Sequence, residues 1–320
     1  MQARNGRKPI VVVGSINADL VTKVESIPHS GETVLGSDFQ IHPGGKGANQ
    51  AVAVGRLGYP VFMIGKVGSD AFGTQLRASM SGAGVDVSAV DTVEGSSGVA
   101  LIEVGSEGDN SIVVVPGANA RLFPRDIDAN IGILREAGIV LVQLEIPLET
   151  VAHLAAVCAR EHVPLVMDPA PAQTLPPEVL RAVSWFTPNE TEAAFYIGKG
   201  AADPDDYRGQ RDALLARGIQ AVVLKQGSRG AYVAVRGGVD AFIPAFPVKA
   251  IDTTAAGDAF NGAFATGLML GKSPAESARF ASAAAAISTT RPGAQPSMAS
   301  LEETEELLKR PRPESVADTK

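Results

Sequence analysis

Ala250-Ile251-Asp252-Thr253-Thr254-Ala255-Ala256-Gly257-Asp258-Ala259-Phe260-Asn261-Gly262-Ala263-Phe264 is the stretch from which the rest of this chain is read. An apolar strand pattern ends just before it, and an apolar-periodic helix pattern begins inside it. Small side chains at such a turn let backbone N–H groups approach a ligand, and the free N–H groups of a helix start favour an anion. Asp258 sits in that turn and reads two ways. It is a helix N-terminal charge stabilised by the helix dipole, or a general base that takes a proton from a hydroxyl attacking a phosphoryl group. The stretch alone leaves both open.

Outward from it, the pattern from Pro124 onward is regular. Helix Arg125–Ala137 precedes strand Ile139–Leu144, and helix Leu148–His162 precedes strand Val163–Met167. Strand Val183–Phe186 leads to helix Thr191–Tyr196. Helix Asp206–Arg217 is followed by strands Ala221–Leu224, Ala231–Val235 and Asp240–Ile243. Helices Gly257–Leu270, Ser273–Thr289 and Leu301–Leu308 close the ordered part. Alternation of this kind predicts a mostly parallel sheet covered by helices on both faces. The N-terminal part adds buried-strand patterns at Ile10–Val13 and Val61–Val67, with helices Ala48–Leu57 and Asp70–Met80.

Two patches there are only half apolar. Asp19–Val24 with Thr33–Ile41, and Gly98–Val104 with Ser111–Val115, share the alternation of a sheet with one wet face. They are expected to join as a small lid sheet, with lid strands from about 17–43 and 97–116, on one α/β domain spanning 10–308. The polar and basic start, 1–9, and the Pro- and charge-rich end, 309–320, read as disordered tails.

Composition narrows the function. The 320 residues are 45% hydrophobic and 5% aromatic with 34 glycines, which suits a compact α/β enzyme. A formal net charge of −7 argues against a general polyanion-binding surface, although backbone amides can still build a local phosphate site. Cys158 is the single cysteine, so no intramolecular disulfide forms and a reducing compartment, the cytoplasm, is expected. No apolar run is long enough to span a bilayer. His29, His42, His153 and His162 lack metal-ligand spacing, and the run Ala281–Ala286 reads as a close-packed helix face.

In an open α/β sheet the ligand lies beyond the carboxyl ends of the strands. The polar residues gather there: Asn17 and Asp19, Glu145, Asp168, Asn189 and Glu192, Lys225–Gly230, and Asp252–Asp258. Asn17 and Asp19 alternate to one side, an amide and a carboxylate suited to vicinal hydroxyls, though a polar turn would look the same. His42-Pro43-Gly44-Gly45-Lys46-Gly47-Ala48-Asn49-Gln50 carries more. Its glycines allow a close ligand approach, and Lys46 and Asn49 lie one turn apart at a helix start. It is not a Gly-Lys-Ser/Thr phosphate loop, since Ala48 stands where the hydroxyl belongs, and no Gly-x-Gly-x-x-Gly follows the first strand.

These segments, with Thr187–Glu192, Gly227-Ser228-Arg229-Gly230 and Arg291–Ser297, resemble the ribokinase/phosphofructokinase-B family of sugar kinases from about Ile10 to Leu308. The segments Gly98–Ile102, Pro116–Ala120, Gln143–Glu149 and Asp168–Pro171 are most similar to its ribose-phosphorylating members. The resemblance implies a three-layer α/β/α fold with a small β-sheet lid, and ATP-dependent phosphorylation of the 5-hydroxyl of D-ribose. It implies Asp258 as base and the amides of Ala255, Ala256 and Gly257 as anion hole. Asn17, Asp19, Gly45, Lys46, Asn49 and Glu145 match sugar-holding positions. Asn189, Lys225, Gln226, Gly227, Ser228, Arg229, Gly230, Gly257 and Ser282 match the nucleotide side, and Glu192 matches an indirect magnesium site. Asp252, Thr254, Ser288, Arg291, Gly293 and Ser297 match a monovalent-cation loop for potassium. Because a half-exposed lid sheet usually finds an apolar partner, a homodimer through the lids is expected. Two positions depart from the pattern: Ser282 replaces a frequent histidine, and Asp168 replaces a common asparagine. Other expectations consistent with the same residues are a kinase of the family for deoxyribose, a ketohexose or a nucleoside, and a sugar-binding regulator without chemistry.

Overall fold

The computed structural model describes residues 6–198 and 206–310. The chain begins with β1 (Ile10–Val13), β2 (Asn17–Lys23), β3 (Asp38–Gly44), α1 (Lys46–Arg56), β4 (Val61–Gly68), α2 (Ala71–Gly82) and β5 (Asp86–Val93). It continues through β6 (Gly98–Val104), β7 (Asn110–Val115), α3 (Pro124–Ala129), α4 (Ile131–Glu136), β8 (Ile139–Val142), α5 (Leu148–Arg160) and β9 (Leu165–Met167). Then come α6 (Pro177–Ala182), β10 (Trp185–Phe186), α7 (Glu190–Ile197), α8 (Tyr207–Ala216), β11 (Ala221–Lys225), β12 (Gly230–Val235) and β13 (Asp240–Pro244). Helices α9 (Ala256–Met269), α10 (Pro274–Ser288) and α11 (Leu301–Lys309) finish it.

Nine strands form one sheet in the order β13-β12-β11-β10-β9-β8-β1-β4-β5. It is parallel from β5 to β11 and turns antiparallel at β12 and β13. Ile10–Val13 is wholly buried because β1 is paired on both sides, by β4 and β8, and faced on both surfaces by helices. One face packs α5 and α7 through Val151, Leu154 and Tyr196; the other packs α1 and α9 through Ala51, Val54 and Ala265. The alternation reading of a helix-covered parallel sheet therefore holds.

The two half-polar patches do meet, as a separate four-stranded sheet in the order β3-β2-β6-β7. Its register aligns Ile41, Leu20, Leu101 and Val113 across one face. Because side chains alternate along a strand, Asn17 and Asp19 of β2 fall on the opposite face.

The structure corrects several boundaries. β5 is an added edge strand whose mostly exposed alternation hides it among loop-like residues. The helix expected over Arg125–Ala137 is two short helices that break at Asn130, which ends one and begins the other. α6 is an unforeseen short helix opened by Pro177. The strand expected from Thr33 starts only at Asp38, and no strand runs directly into α9: β13 ends at Pro244, and irregular chain covers the interval. Of the expected tails, 1–5 and 311–320 lie outside the described residues. Within them, Lys8 and Pro9 are held to the body by hydrogen bonds from Tyr59 Oη at 3.2 Å and Gly138 N at 2.8 Å.

Candidate active site

The site lies where β1, β8, β9, β10 and β11 end and where α1 and α9 begin. Gly45 caps α1 with φ 86°, and a Cβ there would stand 2.7 Å from the Asn17 nitrogen, so only glycine lets α1 start this close to the end of β1. That contact puts Lys46 and Asn49 beside the residues leaving β1. Glu145, just past β8, accepts from Ser15 Oγ at 2.5 Å and from the Lys46 backbone N–H at 3.2 Å. Asn119 donates to Asn17 Oδ1 at 2.7 Å, which turns the Asn17 amide nitrogen toward the pocket. Asn17, Asp19, Gly45, Lys46, Asn49 and Glu145 thus share one cluster. Its supports Ser15 and Asn119 are not among the sequence candidates, although Asn119 lies within the Pro116–Ala120 segment.

Asp258 lies in the first turn of α9 and is buried. Asn49 Nδ2 donates to its Oδ2 at 3.0 Å and Gln50 Nε2 to its Oδ1 at 3.1 Å. Burial pushes its carboxyl up to about 6, against the opposing pull of the Lys46 ammonium. Asp19 is pushed up to about 7 by burial, with Glu145 and Asp258 adding to the effect. Burial acts against the Lys46 charge, but Asp258, Asp168, Glu145 and Glu192 outweigh it and hold the ammonium above its usual range. Asp19, Glu145 and Asp258 therefore lie close enough to one another and to the Lys46 ammonium to perturb each other's charge.

Beside it, Ala255 caps α9 in the left-handed region at φ 57°, a conformation that costs a non-glycine residue about 1–2 kcal/mol. The first helical amides, at Ala256 and Gly257, follow directly; that of Ala256 also reaches Thr253 O at 3.2 Å. First-turn amides lack intrahelical acceptors and face the positive end of the helix dipole. On the far side, Asn189 and Glu192 form a capping box at α7: Glu192 N donates to Asn189 Oδ1 at 2.8 Å, and Asn189 N to Glu192 Oε2 at 2.7 Å. The Asn189 amide nitrogen and the second Glu192 oxygen are the ends that can face a ligand. Gly227–Arg229 make a 3₁₀ turn after β11, Gln226 is buried, and Arg229 pairs with Glu190. Ser282 lies buried in α10, its hydroxyl without a partner among the described residues.

The third group is a loop pair. Asp252 Oδ1 accepts from Thr254 N at 2.9 Å and its Oδ2 from Gly293 N at 2.7 Å. Burial acts to raise the carboxyl, but these bonds prevail and hold it low. Ser288 and Ser297 hydroxyls donate to Ala285 and Ala294 carbonyls, both at 2.8 Å. Arg291 pairs with Glu303, so its guanidinium points away from any cation and only its carbonyl could be a ligand.

The pfkB family carbohydrate kinase pattern matches residues 7–301. The chain belongs to that family. A ribokinase of Haemophilus influenzae is 42% identical over 303 residues, covering 94% of this chain and 99% of the relative. One of Bacillus subtilis is 43% identical over 300 residues, covering 93% and 99%. The structure of Arabidopsis thaliana ribokinase complexed with ribose and ATP superposes with a TM-score of 0.89 at 35% identity, covering 95% of this chain and all of that one.

Proposed function

We propose that this chain transfers the γ-phosphoryl group of ATP to the 5-hydroxyl of D-ribose, giving D-ribose 5-phosphate and ADP. The observation that carries the reading is Asp258, held by Asn49 and Gln50 between the hydroxyl-binding cluster and the first amides of α9. The sugar oxygen forms a bond to the γ-phosphorus as the bond to the bridging oxygen breaks; its proton passes to Asp258, and ADP leaves. Phosphoryl transfer demands mainly positioning and charge stabilisation, which the α9 amides supply. Asp258→Asn keeps sugar binding in equilibrium titration but loses turnover by orders of magnitude; near-normal turnover would refute the assignment.

Magnesium entering with ATP would neutralise phosphate charge, and the buried Glu192, with one oxygen directed away from its cap, suits a water-mediated contact to it. A potassium ion suits the loop pair, where an Asp252 carboxylate, hydroxyls and carbonyls present only oxygen donors. Among the described residues no helix is long and apolar enough to cross a membrane. The need for ATP and the buried thiol of Cys158 suit the cytoplasm. The small sheet would act as a lid and, with apolar residues on its outer face, pair two copies. Deoxyribose, fructose and adenosine are the competing acceptors, and ADP release with each at equal concentration, with and without potassium, ranks them.

A further inference from the structure

Asp168, the position that departs from the family pattern, has a partner the sequence did not reveal. Lys225 Nζ donates to its Oδ1 at 2.9 Å, and both side chains are nearly buried. The same ammonium lies 3.6 Å from where a Cβ would stand on Gly257, so it sits against the start of α9, among the amides that favour a phosphate. The other Asp168 oxygen accepts from Gln50 Nε2 at 2.9 Å, the same nitrogen that holds Asp258. Gln143 Nε2 donates to Gln50 Oε1 at 2.7 Å, which forces the Gln50 NH₂ end toward the two carboxylates. One buried amide thus ties the base to the anchor of a cation.

We propose that Lys225 is a further catalytic residue, a fixed cation on the transferring phosphoryl group, and that Asp168 and Gln50 are positioning residues that set it in register with Asp258. The proposal rests on the site reading above. A buried ammonium beside helix N-terminal amides adds fixed positive charge where the equatorial phosphoryl oxygens gather negative charge, and it needs no reorganisation as they do so. Asp168 alone would repel both phosphate and Asp258; paired with Lys225, it holds the ammonium at the α9 amides instead. A purely structural ion pair would also be buried, but it would not need to face a helix start.

The test compares Lys225→Gln, Asp168→Asn and the double variant Asp168→Asn/Lys225→Gln. Lys225→Gln should lower kcat about 10²- to 10³-fold with the KM for ribose little changed. In the double variant both charges are gone, so the thermal midpoint should return toward that of the parent while kcat stays as low as in Lys225→Gln. With ribose present, binding of ADP plus aluminium fluoride should weaken far more than binding of ADP alone. Recovery of kcat together with stability in the double variant would overturn the proposal, as would equal weakening of the two nucleotide states. Asp258→Asn, assayed alongside, separates the failures. If it is inactive while the double variant is fully active, only the Lys225 role falls; if it is active, the site reading falls with it.

Discussion

At the residue scale, the pocket's chemistry follows from carboxyl groups forced together out of water. Asp258 is pushed to about 6 and Asp19 to about 7, each chiefly by burial. Asp258 must be ionised to accept a proton, so kcat/KM should fall as pH drops through about 6, read from a pH–rate profile of the free enzyme. The stability sign is opposite. Both folded values lie above the ordinary 3.8, so between about 4 and 7 the folded chain holds protons that the unfolded chain has released. Stability therefore declines as pH rises across that window. Asp19→Asn removes one such charge. It should raise the thermal midpoint at pH 8 by a few degrees while weakening ribose binding; a lowered midpoint would show that the aspartate charge is offset in the folded state.

At the element scale, the small sheet presents two different faces because its side chains alternate. One face carries Asn17 and Asp19 toward the site. The other aligns Ile41, Leu20, Leu101 and Val113, of which Ile41, Leu101 and Val113 are exposed, with Phe39 and Val115 beside them on the same face. A row of apolar side chains on a four-stranded sheet is costly in water and suits a second copy of itself. Leu101→Asp, at the centre of the row, should convert a dimer to a monomer in sedimentation at micromolar concentration. A parent chain that sediments as a monomer would remove the dimer proposal. The loop pair proposed for potassium belongs to the same scale, since Asp252 ties the approach to α9 to the loop after α10. Replacing potassium by lithium should lower kcat several-fold, and Asp252→Asn should raise the potassium concentration needed for half-activation.

At the scale of the whole molecule, strand–helix alternation made the layered α/β body legible, because a strand buried on both faces writes a continuous run such as Ile10–Val13. The same logic failed where burial is partial: β5 sits at an edge, and the half-exposed helices α3 and α4 break at a single asparagine. The candidate site was legible as residue types in glycine-bounded turns, for glycine marks close approach and the turn after a strand marks the ligand end of a parallel sheet. Asp258, Lys46, Asn49 and Glu145 could be named that way. Their supports could not. Gln50, Gln143 and Asn119 act through partners 93 to 208 positions away in the chain, and Lys225, named for the nucleotide side, could not be matched to Asp168. Local pattern thus decided the architecture and the chemical types at the strand ends, because periodicity and turn chemistry are short-range. Only folding decided which carboxylate meets which cation, since burial and pairing exist only once distant strand ends share one edge of the sheet.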